Sequence, residues 1–388
     1  MKRICFLFNH DQTHQIAHSL PIALALAARG QHRIVLAYAR PQARAEIERQ
    51  ADPALLARME LVHLTLKSGV SRALASGLER VLPATKLLIY RDNLDFFRSF
   101  DAIVVAEKTT LLLKTRYGLD NVKLIHTRHG AGDRAIGFNP ESARFDLVLV
   151  SGPKIARRLI DEAGLVPAQI AEVGYPKFDL CAANRFADSF PQPARPTVIY
   201  NPHPSPKLSS WFRDGQAVLD AFRGQDRYNL IFAPHVMLFA RRWVVTVDPP
   251  SIARVMPPGP EYDREARIHI DTGSAASSDM RYTNSADIYL GDVSSQIYEF
   301  LRVPRPCLFL NSHGTEWQGD PNYLHWQAGP VLDSAADLLD AIDAAVASHP
   351  DYAPVQQRLI DATFSQSGRP SAERAADAIT AFLEGTHA

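Results

Sequence analysis

Short continuous apolar runs alternate along this chain with amphipathic, Ala/Leu-rich stretches, and that alternation predicts strands and helices in succession. Arg3–Phe8 (RICFLF) reads as a parallel strand buried on both faces. Pro21 opens a predicted helix over Ile22–Arg29, which Gly30 stops, and Arg33–Tyr38 is the next strand. This βαβ opening predicts a doubly wound sheet. Further strands are expected at Leu61–Leu66, Ala102–Ala106, Val122–His126 and Leu147–Val150, with helices between them. The pattern lapses over Cys181–Thr197, which holds three prolines and reads as a linker. A second series follows at Val198–Asn201, Trp211–Phe222, Asn229–Ala233, Ile268–Ile270, Ile288–Leu290, Cys307–Leu310 and Ala335–Ala347. The chain closes on a predicted helix, Ser371–Glu384, with Ser371 as its N-cap and Glu373 in its first turn. The expected architecture is α/β: two Rossmann-like doubly wound domains facing across a cleft, over 1–185 and 196–365, with a closing helix in 366–388.

Composition narrows the classes. At 388 residues the chain is long for one core. Lys+Arg 42 balances Asp+Glu 42, so no broad basic field calls for nucleic acid. Cys5, Cys181 and Cys307 lie far apart and form neither a disulfide framework nor a CxxC metal pair. The apolar run in MKRICFLFNHDQ is too short for a signal-peptide core, and no run approaches a membrane span. A cytoplasmic location is expected; peripheral attachment at the inner membrane surface is compatible with it.

One stretch carries more chemistry than the others. Ala286–Asn311 reads as a strand (Asp287–Leu290), a polar turn (Gly291–Ser295), a helix (Gln296–Arg302) and a second strand (Cys307–Leu310). Ser294 and Ser295 then stand where a helix begins beyond a buried strand, a seat for phosphate. Capping of that helix by Asp292, Ser294 or Ser295 is the competing use.

Three histidine-bearing segments sit at predicted strand ends. His10, His14 and His18 have i, i+4, i+8 spacing, which on a helix could clip a metal. Pro21 instead starts the helix near Ser19, leaving these histidines in a loop, as base, as acceptor ligand or as ordinary polarity. Arg128-His129-Gly130-Ala131-Gly132 ends another strand; with Ala135 its glycines fit a relaxed G-x-G-x-x-A, but Asn139-Pro140 soon interrupts any helix. A histidine poised against a reacting group is the preferred reading, beside a plain glycine turn. Ala233-Pro234-His235 ends a strand in the second half. No GxxxxGK[ST], GxSxG, HExxH or DxD sequence occurs.

With these pieces in place, the chain resembles the CDP-glycerol glycerophosphotransferase family, enzymes of teichoic-acid-type polymer assembly with the GT-B double-Rossmann fold. The resemblance rests on Arg128-His129-Gly130, Gly174-Tyr175-Pro176-Lys177, Tyr200-Asn201-Pro202, His235, Ala286-Asp287 with Asp292-Val293-Ser294-Ser295 and Tyr298-Glu299-Phe300, and the closing Ser371-Ala372-Glu373-Arg374-Ala375. His18-Ser19-Leu20-Pro21 is similar to the opening of many GT-B glycosyltransferases. The resemblance implies His129 as the base on an acceptor hydroxyl and His235 on the transferring phosphoryl group. It implies Ser294, Ser295 and Asp292 at the donor pyrophosphate, Glu299 at the nucleotide ribose, and His14, His18 and Arg128 on the acceptor side. No metal and no cofactor are expected. The implied partners are a nucleotide-diphosphate donor, CDP-glycerol or a nucleotide-sugar, and a lipid-linked or saccharide acceptor. The implied function is transfer of glycerol phosphate, or a related polyol phosphate, from a CDP-activated donor in cell-envelope polymer or glycolipid biosynthesis. The alternatives are a GT-B glycosyltransferase using a UDP- or GDP-sugar and a non-hydrolysing sugar-nucleotide epimerase. A non-catalytic nucleotide-sugar sensor is the alternative from another class.

Overall fold

A computed structural model describes residues 1–10, 12–78, 84–180, 186–247 and 249–386. Asp11 and Cys181, with the first part of the expected linker, lie outside these. The chain divides into two compact units. The first comprises Met1–His129, Phe138–Leu180 and Thr363–Ala388; the second comprises Gly130–Gly137 and Cys181–Ala362.

The first unit is built on seven parallel strands: β1 (Arg3–Phe8), β2 (Arg33–Tyr38), β3 (Glu60–His63), β4 (Ala102–Val105), β5 (Lys123–His126), β6 (Leu147–Val150) and β7 (Ile170–Glu172), in the order β3-β2-β1-β4-β5-β6-β7. The apolar runs alternate between two cores. Ile4, Phe6 and Phe8 pack with the helix Leu20–Arg29 on one side, and Cys5 and Leu7 pack with Ile103 and Val105 on the other. Continuous apolar strands are what helices on both faces require. The closing helix Ser371–Glu384 belongs to this unit: Ala372, Ala375, Ala376 and Ile379 share the core of Leu20–Arg29. Its expected Ser371 cap is replaced by a distant one. Asp179 accepts from the amides of Ser371 (3.3 Å) and Ala372 (2.6 Å), so the Gly174–Asp179 segment holds the helix end. Gly174 has φ +85, and a Cβ there would meet the Ser365 carbonyl at 3.1 Å.

The second unit carries six parallel strands: β8 (Thr197–Asn201), β9 (Asn229–Phe232), β12 (Ile268–Ile270), β13 (Ile288–Gly291), β14 (Cys307–Leu310) and β15 (Val331–Leu332), ordered β12-β9-β8-β13-β14-β15. An antiparallel hairpin, β10 (Trp243–Val247) and β11 (Pro250–Arg254), is inserted between β9 and β12. Counting only sheet strands, this is the same order as the first six of unit one, so each sheet reverses direction beside its first strand, at β1/β4 and β8/β13. In open α/β sheets, ligands bind outside the carboxyl ends of strands at that reversal.

Three expectations change here. Residues 130–137 join the second unit rather than the first, because Asp133 is built into its interior. His14 and His18 lie in the short 3₁₀ helix Thr13–His18 rather than a loop. At three residues per turn, i and i+4 do not share a face, so the metal-clip spacing has no geometric meaning. The helix after the serines spans only Ile297–Phe300, because the chain must turn back at once into β14.

Candidate functional site

At the β8/β13 reversal of the second unit, two Pro-His sequences follow two adjacent strands: Asn201-Pro202-His203 after β8 and Ala233-Pro234-His235 after β9. Each imidazole is held the same way. His203 Nδ1 accepts from the Ser205 amide at 3.0 Å, and His235 Nδ1 accepts from the Met237 amide at 3.3 Å. With Nδ1 serving as acceptor, the neutral ring carries its proton on Nε2. The two ring centroids are 6.3 Å apart. Burial holds the pKa of His203 well below the ordinary imidazole value, and the charges of His235, Arg134 and His325 push the same way. With Nδ1 accepting in each, both neutral rings present Nε2–H as a donor of fixed orientation. His203 and Arg134 were not singled out from sequence, although the repeated apolar-strand–Pro–His pattern (VIYNPH, LIFAPH) was there to be read.

Asn201, fully buried, ties these strand ends together. Its Oδ1 accepts from Ser294 Oγ at 2.5 Å, and its Nδ2 donates to the Ala233 carbonyl and to Gln296 Oε1. Ser294 is thus buried, its proton committed to Asn201. Ser295 is partly exposed. Asp292 is also buried. It accepts from the His203 amide (2.9 Å), the Ser210 amide (2.6 Å) and Ser210 Oγ (2.9 Å). Burial pushes its pKa up to about 6 against these hydrogen bonds. With its oxygens taken up by these donors, Asp292 orients the His203 turn. Glu299 is 5% exposed, so the ribose contact expected of it has no open surface. A one-turn helix adds little macrodipole, so the positive potential at this turn comes from its amides, the histidine Nε2–H groups and Arg134.

The Gly130–Gly137 segment lies directly against this turn. A Cβ on Gly132 would stand 2.7 Å from Ser295 Cβ, and Gly130, at φ +91, approaches Ser295 Oγ. Asp133 pins the segment. Its carboxylate accepts from Tyr298 OH (2.8 and 2.6 Å), the His325 amide (3.1 Å) and His325 Nδ1 (2.9 Å). His325 Nε2 lies 3.2 Å from the Asp292 carbonyl, which also accepts from Trp326 Nε1 at 2.9 Å.

In the first unit, His129 follows β5. Its Nδ1–H donates to the Ala106 carbonyl at 2.9 Å, which leaves the Nε2 lone pair as acceptor. Desolvation by the surrounding chain holds its pKa below the ordinary value although the residue is exposed. Arg128, Lys108 and Lys86 lower it further, and the Ala106 bond opposes. This is the tautomer and charge state of a base. Arg128 takes φ 54, a conformation rare outside glycine, and its guanidinium lies 4.8 Å from the Phe138 centroid. Arg158 lies 3.9 Å from the same ring. Burial and Arg158 bring the Arg128 pKa down to about 10. His18 is buried edge-on to Tyr175, centroids 5.4 Å apart, and burial depresses its pKa strongly, with Lys177, His129, His14 and His10 adding to it. Among the described residues, no group of three or more His, Cys, Asp or Glu side chains is arranged to hold a metal.

No protein-family model matches the chain, and no curated protein sequence does. Solved structures match in fold. The wall teichoic acid polymerase TagF superposes with a TM-score of 0.63 at 14% identity, over 99% of this chain and 90% of that one. S. aureus MnaA with UDP gives 0.55 at 13% identity, over 100% and 98%. The glycotransferase of kitacinnamycin gives 0.57 at 14% identity, over 98% and 99%. Together with the two doubly wound sheets, these define the GT-B fold.

Proposed function

We propose that this chain is a GT-B transferase that moves glycerol phosphate, or a related polyol phosphate, from a CDP-activated donor to an acceptor hydroxyl. One observation carries the reading: two imidazoles with oriented Nε2–H groups stand at the β8 and β9 ends, beside Arg134 and the Asp292–Ser295 turn. Fixed donors and a cation at a strand-end reversal suit a diphosphate whose charge spreads over oxygens during transfer. A variant of TagF, a GT-B structure of similar extent, has been soaked with CDPG, which agrees with that donor class.

In this reading, Ser295 and the turn amides seat the donor diphosphate, with Ser294 supporting them from below. His235 and His203 donate to the transferring phosphoryl group. The acceptor oxygen attacks the distal phosphorus, the bond from that phosphorus to the bridging oxygen breaks, and CMP leaves. His129 Nε2 takes the acceptor's proton. His14, His18 and Arg128 shape the acceptor side, His18 and Arg128 through packing. The acceptor is a lipid-linked or saccharide hydroxyl.

Thermal-shift titration with CDP-glycerol, CDP-ribitol, UDP-sugars and GDP-sugars tests the donor, since stabilisation grows as RT ln(1 + [L]/Kd). Identification of the product then separates the classes. CMP supports phosphoryl transfer, UDP or GDP would establish a glycosyltransferase, and a donor consumed without acceptor would establish an epimerase.

A further inference from the structure

The β10–β11 hairpin serves none of the roles above, and its two faces differ. Its inner face is integrated: Val244 packs against the second unit's core, and Thr246 Oγ1 lies 3.5 Å from Ser205 Oγ, in the turn that holds His203. Its outer face is apolar and open. The register pairs Trp243 with Arg254 and Val245 with Ile252, and alternation puts all four on one side. Trp243 is 54% exposed, Val245 69% and Ile252 68%; Met256, just beyond β11, is 61% exposed. Such contiguous exposure is uncommon on a monomer without a partner.

Charge identifies the partner. Arg241, Arg242 and Arg254 flank this face, and among the described residues none of them is in an ion pair. With Phe239 and Met256 they line a pocket of about 330 Å³. A tryptophan at an apolar patch edged with unpaired guanidiniums is the chemistry of a lipid interface: the ring at headgroup level, aliphatic side chains below, arginines on phosphates. A second copy docked on the same face through a twofold axis would bring like-charged arginines together.

We propose that the outer face of the β10–β11 hairpin docks on an anionic phospholipid surface, with Trp243, Val245, Ile252 and Met256 entering the interface and Arg241, Arg242 and Arg254 binding lipid phosphates. This stands independently of the transferase reading. The test is co-sedimentation of the full chain with phosphatidylcholine vesicles, with and without phosphatidylglycerol. The chain should pellet only with the anionic vesicles and be released by added salt, an arm that needs no variant. The triple variant R241Q/R242Q/R254Q should partition roughly a hundredfold less, each arginine near an anionic leaflet being worth about fivefold. W243S/I252S should also lose binding, with the melting midpoint of both variants unchanged because the positions are exposed. Equal partition of wild type into both vesicle types, or of the triple variant and wild type into anionic ones, would overturn the proposal. So would a dimer in solution that W243S/I252S dissociates without any vesicle binding.

Discussion

Asp133→Ala probes the join between the Gly130–Gly137 segment and the second unit. The Asp133 side chain has no exposed surface and accepts from Tyr298 OH, the His325 amide and His325 Nδ1. Alanine strands all three donors in the interior. A hydrogen bond to a charged group is worth roughly 1.5–3 kcal/mol, and each buried donor left without a partner costs roughly 1–3 kcal/mol. These losses share atoms and do not add, so the expected destabilisation is about 4 kcal/mol. For a unit of this size that corresponds to about 10 °C in melting midpoint. All four tryptophans, Trp211, Trp243, Trp317 and Trp326, lie in the second unit, so their fluorescence during urea unfolding reports that unit alone. The variant should shift this transition and leave its slope unchanged. A cycle with Tyr298→Phe should show coupling above about 1 kcal/mol. A shift below about 1 kcal/mol with no coupling would refute the reasoning: Asp133 would not be holding the segment against Ser295. Donor affinity, read by calorimetry, should fall with the anchor.

Three further outcomes follow from the same geometry. His129→Ala should lower turnover roughly 10²–10⁴-fold with donor affinity little changed, and steady-state kinetics beside calorimetry would expose near-normal turnover if His129 is no base. Ser294→Ala should cost about 1 kcal/mol of stability by removing its buried hydrogen bond to Asn201 Oδ1, which keeps only the longer bond from Tyr289 OH at 3.4 Å, whereas Ser295→Ala should weaken nucleotide binding at unchanged stability; the reverse pattern in melting and calorimetry would remove Ser295 from the seat. Asp271, buried after β12, accepts from the Gly273 amide (3.0 Å), the Ser274 amide (2.7 Å) and Tyr282 OH (2.7 Å). Burial raises its pKa, but these bonds outweigh it and bring it down to about 2. Its contribution, about 2 kcal/mol, should be complete above pH 4 and disappear as pH falls toward 2; Asp271→Asn should flatten that stretch of the pH–stability curve.

Much of the framework was legible from local pattern. Arg3–Phe8, Arg33–Tyr38, Leu147–Val150 and Cys307–Leu310 are strands within the bounds that their apolar runs predict, because burial on both faces demands an unbroken apolar run. Gly30 ends its helix at φ 66, as a C-terminal glycine should. The two-residue β15, the β10–β11 hairpin and the helix His349–Thr363 with its internal Pro354 were not legible. The first is too short to show a period, the second displays its apolar residues to solvent, and the third contains its own stop signal.

The succession of strands and helices, and the presence of histidines and paired serines at strand ends, came from sequence alone, because hydrophobic period and turn chemistry are local properties. Which of those polar groups remain available was a tertiary decision. Asn201 takes the Ser294 proton, Ser210 and the His203 amide saturate Asp292, and Asp133 carries Gly130–Gly137 into the second unit. Each involves atoms from segments distant in sequence, and a hydrogen bond between such segments leaves no mark in either one until the chain has folded.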